Sequence, residues 1–298
     1  MNASDARLPG LVIAAHRRHF EVALDDGERV ECLQKGRTRK LACGDRVEVL
    51  RIAGGGAIDA VTPRTSLVYR SDGFREKLIA ANVTQIAGVV AAGIALDEEL
   101  IHRWMIAAEA EGCRFVLAAN KRDLRDFAVL RERLAPIAAL GYPVIELSAL
   151  NDVGPLVPWL AGQHTVLVGQ SGMGKSTIIN ALAPAAAVRT ERISEALHAG
   201  RHTTTATTLY PLPALGDDTW IVDSPGMKAF GLAHVAPDAL EQAFIELRPF
   251  LGHCRFRDCR HDQEPRCAVQ DAVAHGQVMP FRLSLLYALQ RESARPRA

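Results

Sequence analysis

The sequence predicts a multi-domain protein in which an N-terminal β-barrel and a C-terminal helical segment flank a central α/β domain. Five short strand-like runs precede residue 66, a glycine-rich loop joins a strand to a helix near residue 170, and four metal-ligand residues crowd together near residue 260. At 298 residues the chain has room for two or three domains. We expect the barrel in 1–66, the α/β domain in 67–232 and the helical segment in 233–298.

The composition is typical of a globular protein with an ample core, since 48% of residues are hydrophobic and 23% are charged. The net charge of +1 is unevenly spread. Residues 1–66 contain 11 Lys and Arg against 9 Asp and Glu, residues 67–247 contain 15 against 20, and residues 248–298 contain 9 against 5. Basic ends of this kind are typical of segments that contact a polyanion.

The segment from Leu78 to Leu96 is long and apolar enough to resemble a membrane span. It is built mostly of Ala, Gly and Val and contains three polar residues, which makes a poor span. We interpret residues 86–92 as a buried strand instead. Residues 1–9 have no apolar core, so no secretory signal is expected there.

The N-terminal barrel is predicted from short runs rich in strand-forming residues and separated by turn residues. A small five-stranded barrel of this kind favours an OB-fold, which commonly binds oligonucleotides. The strand-like runs are Gly10–Ala15, Phe20–Leu24, Arg29–Leu33, Arg46–Ile52 and Ala57–Val61. The residues that follow, up to Lys77, are interpreted as a linker.

Several cations cluster in and around one connection of the predicted barrel. They are Lys35, Arg37, Arg39, Lys40 and Arg46. Such a cluster suits a phosphate-binding face. It suits equally a surface loop whose charges keep the protein in solution, and the residues alone do not choose between the two.

A phosphate-binding loop is predicted between residues 164 and 178, where the chain matches G-x-x-x-x-G-K-[ST] between a strand-like run and a helix-like run. Glycines let the loop wrap a polyphosphate, so that backbone N–H groups and the helix N-terminus point at the anion. Lys175 is expected to reach the β- and γ-phosphates, and Ser176 to ligate Mg²⁺. The residues expected to contact the nucleotide here are Gly169, Gln170, Ser171, Gly172, Met173, Gly174, Lys175, Ser176 and Thr177.

A base-reading element, Asn120-Lys121-Arg122-Asp123, follows a buried-type strand. The Asp123 carboxylate can accept hydrogen bonds from guanine N1–H and the 2-amino group, which adenine does not offer. An unpaired buried acceptor costs ~1–3 kcal/mol, and more when it is charged, so guanine is preferred. We expect Asn120 to hold the other edge of the base and the phosphate loop, and the Lys121 stem to flank the ring.

Two segments after the phosphate loop carry residues expected to sense the γ-phosphate. A threonine in Gly200–Thr205 can ligate Mg²⁺ and order its loop only in the triphosphate state, and the residues do not choose between Thr203 and Thr204. The second segment starts at Asp223 and matches D-x-x-G. Asp223 is expected to hold Mg²⁺ through water, and the Gly226 N–H to contact the γ-phosphate.

Ras-like enzymes place a water-orienting Gln directly after D-x-x-G. Here that position is Met227, which cannot polarise water, so slow intrinsic hydrolysis is expected. His202 is the candidate for the missing group, because imidazole can orient water or accept its proton near neutral pH. A solvent-facing loop histidine is an equal alternative, and Arg201 is a second candidate as a charge-stabilising finger.

These elements occur in rotated order along the chain. The N-K-R-D element and Ser148-Ala149, whose Ala149 N–H is expected to bind guanine O6, precede the phosphate loop that comes first in ordinary GTPases. Such a circular permutation requires only that the original termini lie close enough to be joined, here by residues 150–163. The D-x-x-G segment then ends the domain, so loss of the γ-phosphate could move the segment that follows.

A complete set of zinc ligands lies within fourteen residues of the C-terminal segment. The ligands are Cys254, Cys259, His261 and Cys267. Three thiolates and one imidazole leave no open position, which favours a structural zinc ion over chance clustering or redox cysteines. Four cations are interleaved with them, either to contact phosphate backbones or simply as a solvated surface. These are Arg255, Arg257, Arg260 and Arg266. We also predict helices over Leu240–Phe250 and Pro280–Gln290.

The combination of motifs resembles the RsgA (YjeQ-type) family of small-ribosomal-subunit biogenesis GTPases. The resemblance covers nearly the whole chain: the OB-like start, N-K-R-D, S-A-L, G-Q-S-G-M-G-K-S, G-R-H-T-T-T, D-S-P-G and C-x4-C-x-H-x5-C. It implies a cytoplasmic GTPase that uses GTP, Mg²⁺ and one structural Zn²⁺, and that binds the 30S subunit with its 16S rRNA late in maturation. It further implies stimulation of hydrolysis by the subunit and release in the GDP state.

We expect a monomer with no membrane partner. Two alternatives stay open: a GTP-regulated factor that acts on another ribonucleoprotein, and an RNA-binding module without meaningful turnover. Asp123 disfavours an ATPase.

Overall fold

The computed structural model describes residues 6–16, 19–34, 40–71, 76–184, 207–224 and 230–294. The first five strands form the predicted barrel. They are β1 (Arg7–His16), β2 (His19–Leu24), β3 (Arg29–Gln34), β4 (Arg46–Ile52) and β5 (Gly55–Val61). The ring runs β1-β2-β3-β5-β4 and closes where β4 pairs with β1, with β3 and β5 parallel. Alternate side chains such as Val12, Val22 and Val49 fill its interior. The barrel has the OB-fold arrangement.

The segment after the barrel is a hairpin and not the linker suggested by its sequence. Strands β6 (Leu67–Ser71) and β7 (Glu76–Ala81) pair antiparallel. The apolar side chains of Val68 and Ile79 are buried in the core that the hairpin shares with the α/β domain. Hydrophobic residues in this segment therefore pack against the α/β domain and do not span open solvent.

The central domain is a six-stranded part of the sheet with helices on both faces. Its strands run in the order β10-β9-β8-β11-β13-β12, and β12 alone among them is antiparallel to its neighbour. The strands are β8 (Gln85–Ala91), β9 (Arg114–Asn120), β10 (Val144–Glu146), β11 (His164–Val168), β12 (Thr207–Pro211) and β13 (Trp220–Asp223). The helices are α1 (Glu98–Ala110), α2 (Phe127–Ala139), α3 (Val157–Leu160) and α4 (Lys175–Leu182).

Strand β8 is buried on both faces, as its apolar sequence predicts. Ile86 and Val90 pack in one cluster with Trp104 of α1, whereas Ala87 and Val89 pack in the other with Ile178 of α4. Period-two alternation thus places each face of the strand against a different helix layer. Within the described ranges, the helices are all too short or too polar to cross a bilayer.

Helix α1 was not predicted, although its sequence carries a clear start signal. The Asp97 carboxylate accepts a hydrogen bond from the Leu100 N–H at 3.0 Å, and Glu98 and Glu99 occupy the first turn. A capping aspartate followed by acidic residues satisfies the free N–H groups and the helix dipole. Residues 97–99 therefore carry a local sequence signal for the start of this helix.

The barrel and the central domain share one sheet. Ala14 and Ala15 of β1 pair antiparallel with Thr208 and Thr207 of β12, which joins eleven of the described strands. Gly44 fixes a second contact: its φ is +87°, and a Cβ there would lie 2.2 Å from the Ala81 carbonyl oxygen. The barrel therefore lies directly on the α/β domain.

The C-terminal segment contains α5 (Pro237–Gln242), α6 (Ala268–Ala274) and α7 (Pro280–Ser293). The predicted helix over 240–250 is wrong beyond residue 242. Main-chain hydrogen bonds instead run from the N–H of Leu247 to Phe244 O at 2.9 Å and from that of Phe250 to Leu247 O at 2.8 Å. These hydrogen bonds form successive turns in which apolar residues recur every three positions. That spacing resembles the apolar repeat of a helix, which explains the wrong prediction.

A fully buried arginine fastens the C-terminal segment to the central domain. The Arg282 guanidinium on α7 donates to the Glu246 carboxylate at 2.5 and 3.0 Å and to His102 Nδ1 on α1 at 3.2 Å. It also lies over the Phe244 ring at 4.4 Å. Burial, and to a smaller extent the Arg282 charge, lowers the pKa of His102 to about 3. The histidine is therefore neutral and can accept the arginine hydrogen.

We predict that Glu246→Gln strongly destabilises the protein. The substitution leaves the Arg282 charge buried without a carboxylate, and breaking a buried pair costs about 3–5 kcal/mol. Urea unfolding followed by circular dichroism measures the loss. Glu98→Gln is the control, because Arg133 and Glu98 form an exposed pair at 2.7 Å. An exposed pair is worth less than ~1 kcal/mol. Equal losses in the two variants would contradict the assignment.

Candidate guanine-nucleotide and metal sites

The predicted nucleotide-binding elements meet at the carboxyl ends of neighbouring parallel strands. In the register of the sheet, Val168 lies beside Gly88, Ala91 beside Asn120, and Leu167 beside Asp223. Parallel strands bring the loops that follow them to one edge of a sheet, where α/β proteins bind ligands. Segments that are far apart in the chain therefore line one cleft at the carboxyl edge of the sheet.

The phosphate loop has the predicted strand–loop–helix form, between β11 and α4. Gly174 shows why a glycine is needed. Its φ is +97°, and an added Cβ would lie 2.2 Å from Asn120 Nδ2. A side chain here would therefore be strained and would separate the loop from the base-reading strand. Of the other loop residues, Met173 is buried, Gln170 and Thr177 are half-buried, and Ser171 and Ser176 are exposed.

Lys175 lies inside the curve of the loop. Its Nζ donates to Gly169 O at 2.7 Å and to Gln170 O at 3.1 Å, and the residue is 8% exposed. Burial lowers the pKa of Lys175, an effect that the charge of Asp223 opposes. Burial also raises the pKa of Asp223 to about 6, against the effect of Lys175. An ammonium and a carboxylate therefore face the same cleft, as a polyphosphate and a cation require.

The Asn120 side chain connects three nucleotide elements. Its Nδ2 donates to the Met173 carbonyl at 2.9 Å, and its Oδ1 accepts from the Ala149 N–H at 2.9 Å. The residue is 2% exposed. It thus holds the phosphate loop as expected. That the Ala149 N–H binds guanine O6 stays a prediction, because that N–H donates to Asn120 here.

Asp123 lies at the open side of the same cleft and is exposed. Ser148 Oγ donates to its Oδ1 at 2.5 Å, and Asn151 Nδ2 donates to Ser148 Oγ at 3.0 Å. The hydrogen bond from Ser148 lowers the pKa of Asp123, so the group is a carboxylate that only accepts hydrogen bonds. Lys121 adopts φ +61°, which turns the chain between the two residues on either side of it. Arg122 is exposed.

Several predicted residues lie outside the described part of the chain. These are His202, Thr203, Thr204, Gly226 and Met227, together with Lys35, Arg37 and Arg39 of the barrel connection. Of the remaining barrel cations, Lys40 is exposed, and Arg46 pairs with Asp25 at 2.7 Å.

Hydrogen bonds hold the described residues at the start of D-x-x-G and those that follow the motif. Ser224 Oγ donates to Leu167 O at 2.5 Å, which ties the start of the segment to the strand before the phosphate loop. On the far side, Arg103 Nη1 donates to the Phe230 carbonyl at 3.3 Å, and Glu292 accepts from the Leu232 N–H at 2.8 Å. Arg103 and Glu292 also pair with each other at 2.8 Å.

We call Arg103 and Glu292 the exit clasp. No motif marks either residue, and they are 189 positions apart. Sequence reasoning therefore had no signal from which to find them.

The structure brings the four predicted zinc ligands together. Their ligand atoms all lie within 4.8 Å of one another. Cys254 Sγ lies 3.8 Å from Cys267 Sγ, and His261 Nδ1 lies 3.5 and 3.3 Å from these sulfurs. Tetrahedral zinc with ordinary bond lengths separates two sulfurs by about 3.8 Å and a sulfur from a nitrogen by about 3.6 Å. The donor set and its spacing fit the ion.

The four arginines around this cluster are all exposed. Arg255 lies over the Phe256 ring at 5.3 Å, and the Phe256 residue is itself 41% exposed. The loop thus presents cations and one aromatic ring to solvent. Such a surface can contact a phosphate backbone and stack on a base.

Comparison with known proteins gives consistent relatives. A family model described as RsgA GTPase matches residues 61–233. The small ribosomal subunit biogenesis GTPase RsgA of Nitrosomonas europaea is 46% identical over 287 residues, which cover 95% of this chain and 90% of that protein. The protein of the same name from Burkholderia pseudomallei is 47% identical over 295 residues, with coverage of 97% and 93%.

Solved structures agree with the rotated order of the elements. YjeQ from Thermotoga maritima superposes with a TM-score of 0.72 at 27% identity, covering 98% of this chain and 100% of that one. YloQ, described as a circularly permuted GTPase, has a TM-score of 0.69 at 21% identity, covering 100% and 99%, and shows the fold alone. The predicted permuted fold is confirmed. Together, these matches show that the chain belongs to the RsgA GTPase family.

Proposed function

We propose that this GTPase binds the small (30S) ribosomal subunit, assists its late maturation and hydrolyses GTP to GDP and phosphate. The observation that carries the proposal is the buried Asn120 side chain, which joins the base-reading element to the phosphate loop at 2.9 Å. Relatives at 46% and 47% identity bear the name small ribosomal subunit biogenesis GTPase. Their likeness extends over at least 95% of this chain, so it includes the barrel and the C-terminal segment.

Nucleotide recognition divides between two ends of the cleft. Asp123, held ionised by Ser148, accepts hydrogen bonds from guanine, while Asn120, Lys121 and Ala149 surround the rest of the base. At the other end Lys175 and the loop N–H groups hold the phosphates, and Ser176 with Asp223 would hold Mg²⁺. When bound, that ion neutralises charge that develops on the phosphates.

The hydrolytic step rests on residues known here from sequence alone. His202 would orient the attacking water, Thr203 or Thr204 would ligate Mg²⁺, and the Gly226 N–H would contact the γ-phosphate. Met227 cannot supply the first of these roles. Stimulation by the ribosomal subunit then consists of holding His202 in place.

Contact with 16S rRNA involves both ends of the chain. The support is the OB-fold of residues 1–66 and the exposed arginines of residues 233–298, on either side of the nucleotide domain of residues 67–232. Arg46 is partly neutralised by Asp25, whereas among the described residues the four arginines around the cysteine cluster form no salt bridge, so they carry more unpaired charge than Arg46 does. The protein acts as a monomer in the cytoplasm.

Cys254, Cys259, His261 and Cys267 hold one structural zinc ion. The support is the match between their spacing and tetrahedral geometry. The ion would fix the loop that carries the arginines, because structural zinc supplies folding energy to small loops without a core of their own.

Turnover of the purified chain tests the proposal. Phosphate release from GTP is measured alone and with isolated 30S subunits, 50S subunits or free 16S rRNA. We expect stimulation by 30S subunits only. Stimulation by another particle would indicate a GTPase of a different ribonucleoprotein, and nucleotide-dependent binding without stimulated turnover would indicate a GTP-regulated RNA-binding factor.

We predict that Asp123→Asn changes base preference. The amide cannot accept hydrogen bonds from both guanine donors without also presenting its own N–H group, so GTP affinity falls by about 5- to 150-fold, the equivalent of ~1–3 kcal/mol. Xanthosine triphosphate, which offers a carbonyl at that edge, gains affinity. Competition against a fluorescent GDP derivative measures both. Asp126→Asn is the control, as Asp126 is exposed and three residues away. An unchanged ratio of the two affinities would overturn the base-reading role.

We predict that His202→Ala lowers 30S-stimulated turnover by about 10²- to 10⁴-fold, the usual contribution of a positioned acid or base. GTP affinity should be unchanged, because the imidazole acts on water. Stopped-flow phosphate release and equilibrium binding separate the two effects. Arg201→Ala is measured in parallel. A greater loss of turnover in Arg201→Ala than in His202→Ala would reverse the assignment.

A further inference from the structure

His261 is held in an unusual conformation by two helices. Its φ is +63°, a left-handed value that non-glycine residues adopt at a cost of about 1–3 kcal/mol. The residue is 3% exposed. Its carbonyl oxygen accepts hydrogen bonds from Gln270 Nε2 of α6 at 2.8 Å and from the Tyr287 hydroxyl of α7. The surrounding helices therefore keep this residue in a conformation that the chain alone would not favour.

The imidazole of His261 is oriented with Nδ1 toward the sulfurs of Cys254 and Cys267. Its other nitrogen, Nε2, is buried and has no hydrogen-bond partner among the residues that the structure describes. A histidine that binds a metal through Nδ1 carries its hydrogen on Nε2. A buried donor without an acceptor is unfavourable, so the zinc form of this site needs an acceptor beside Nε2.

Glu241 provides the nearest carboxylate. Its Oε2 lies 3.8 Å from His261 Nε2, and its Oε1 accepts a hydrogen bond from Gln290 Nε2 of α7 at 3.0 Å. The side chain is 24% exposed. A movement of about 1 Å brings Oε2 to ordinary hydrogen-bond distance. Gln290 binds Oε1 of Glu241 and leaves Oε2 available to His261.

We propose that Glu241 is the outer carboxylate of the zinc site, which accepts a hydrogen bond from His261 Nε2 and so holds the imidazole with Nδ1 on the metal. The proposal rests on the zinc ion proposed above. Histidine ligands of zinc commonly donate their second N–H to a carboxylate, and removal of that carboxylate typically weakens metal binding 10- to 100-fold.

This role links the metal loop to the rest of the molecule. Glu241 lies on α5, which packs against both α1 and α7. Gln290 and Tyr287 lie on α7, the helix whose Arg282 is buried against α1. Zinc binding therefore stabilises the same helices that hold the C-terminal segment on the central domain, through one carboxylate and one carbonyl group.

The test measures zinc affinity in the full-length protein. The metal is removed with a chelator, and zinc is returned in competition with a chromogenic chelator of known affinity. We expect Glu241→Gln to bind zinc 10- to 100-fold more weakly than the unsubstituted protein. Asp238→Asn is the matched control, since Asp238 is exposed on the same helix, and its affinity should be unchanged.

Cobalt spectra distinguish a change in the orientation of the His261 imidazole from the loss of a metal ligand. Co²⁺ in Glu241→Gln should give the thiolate charge-transfer and tetrahedral d–d bands of the unsubstituted protein, since all four ligands are retained. A changed spectrum would overturn the proposal, because it would make Glu241 necessary for the ligand set itself. Unaltered zinc affinity in this variant would also overturn it.

The zinc site itself, as distinct from the role of Glu241, is disproved if the unsubstituted protein binds no stoichiometric zinc. Should Glu241→Gln not fold, Gln290→Ala provides the same test, because it removes only the anchor of Oε1. It should weaken zinc binding several-fold, and unchanged affinity would overturn the role of Glu241.

Discussion

The hydrogen bonds of Asn120 are the constraint on which the nucleotide site depends. One amide joins Met173 of the phosphate loop, 53 residues away, to Ala149 of the base-reading region, 29 residues away. Loss of the amide would leave a buried carbonyl and a buried N–H unpaired, at about 1–3 kcal/mol each. Gly174 permits the contact, because any larger residue would occupy the space of Asn120 Nδ2. This packing, and not the order of the motifs along the chain, assembles the site, so a permuted sequence can build an ordinary cleft.

The two flanking units are attached where the chain leaves the two motifs that are predicted to sense the γ-phosphate. Strand β12 begins at Thr207, two residues after the end of the Gly200–Thr205 motif. This strand pairs with β1 of the barrel. The exit clasp holds the chain a few residues after D-x-x-G and belongs in part to α7. Each unit is therefore hydrogen-bonded to the chain segment that leaves one of the two motifs. A conformational change in either motif can therefore reach the barrel or the C-terminal segment through the covalent chain and through these hydrogen bonds.

Local patterns in the sequence predicted which described segments meet at the candidate nucleotide site, because it is built from short motifs whose residue types follow from their ligands. The barrel strands and buried strand β8 were predicted by their alternation or continuous apolar character. Strand β12 was missed, since its partner β1 is distant in sequence. The strands of the hairpin pair with each other, but its apolar side chains are stabilised by the core of the α/β domain, which no local pattern indicates. The turns after Gln242 imitate a helical repeat. Arg282, the exit clasp and Glu241 have no local signature, because their roles depend on contacts that only the folded chain creates.

The attachment of the C-terminal segment bears on how loss of the γ-phosphate could move it. Rotation of the whole segment away from α1 would break the hydrogen bond from Arg282 to His102, which is worth about 1.5–3 kcal/mol because one partner is charged, while the Arg282–Glu246 pair would move with the segment. Reversing a two-state equilibrium from 1:99 to 99:1 takes about 5.5 kcal/mol of differential binding, so the loss of this one hydrogen bond would add a substantial fraction to that requirement. The exit clasp is more exposed, with side chains 17% and 26% accessible, and partly solvated pairs break at lower cost. A rearrangement confined to the clasp is therefore the less costly response, and it would leave the loop with the cysteine cluster and most of α7 in place on the central domain.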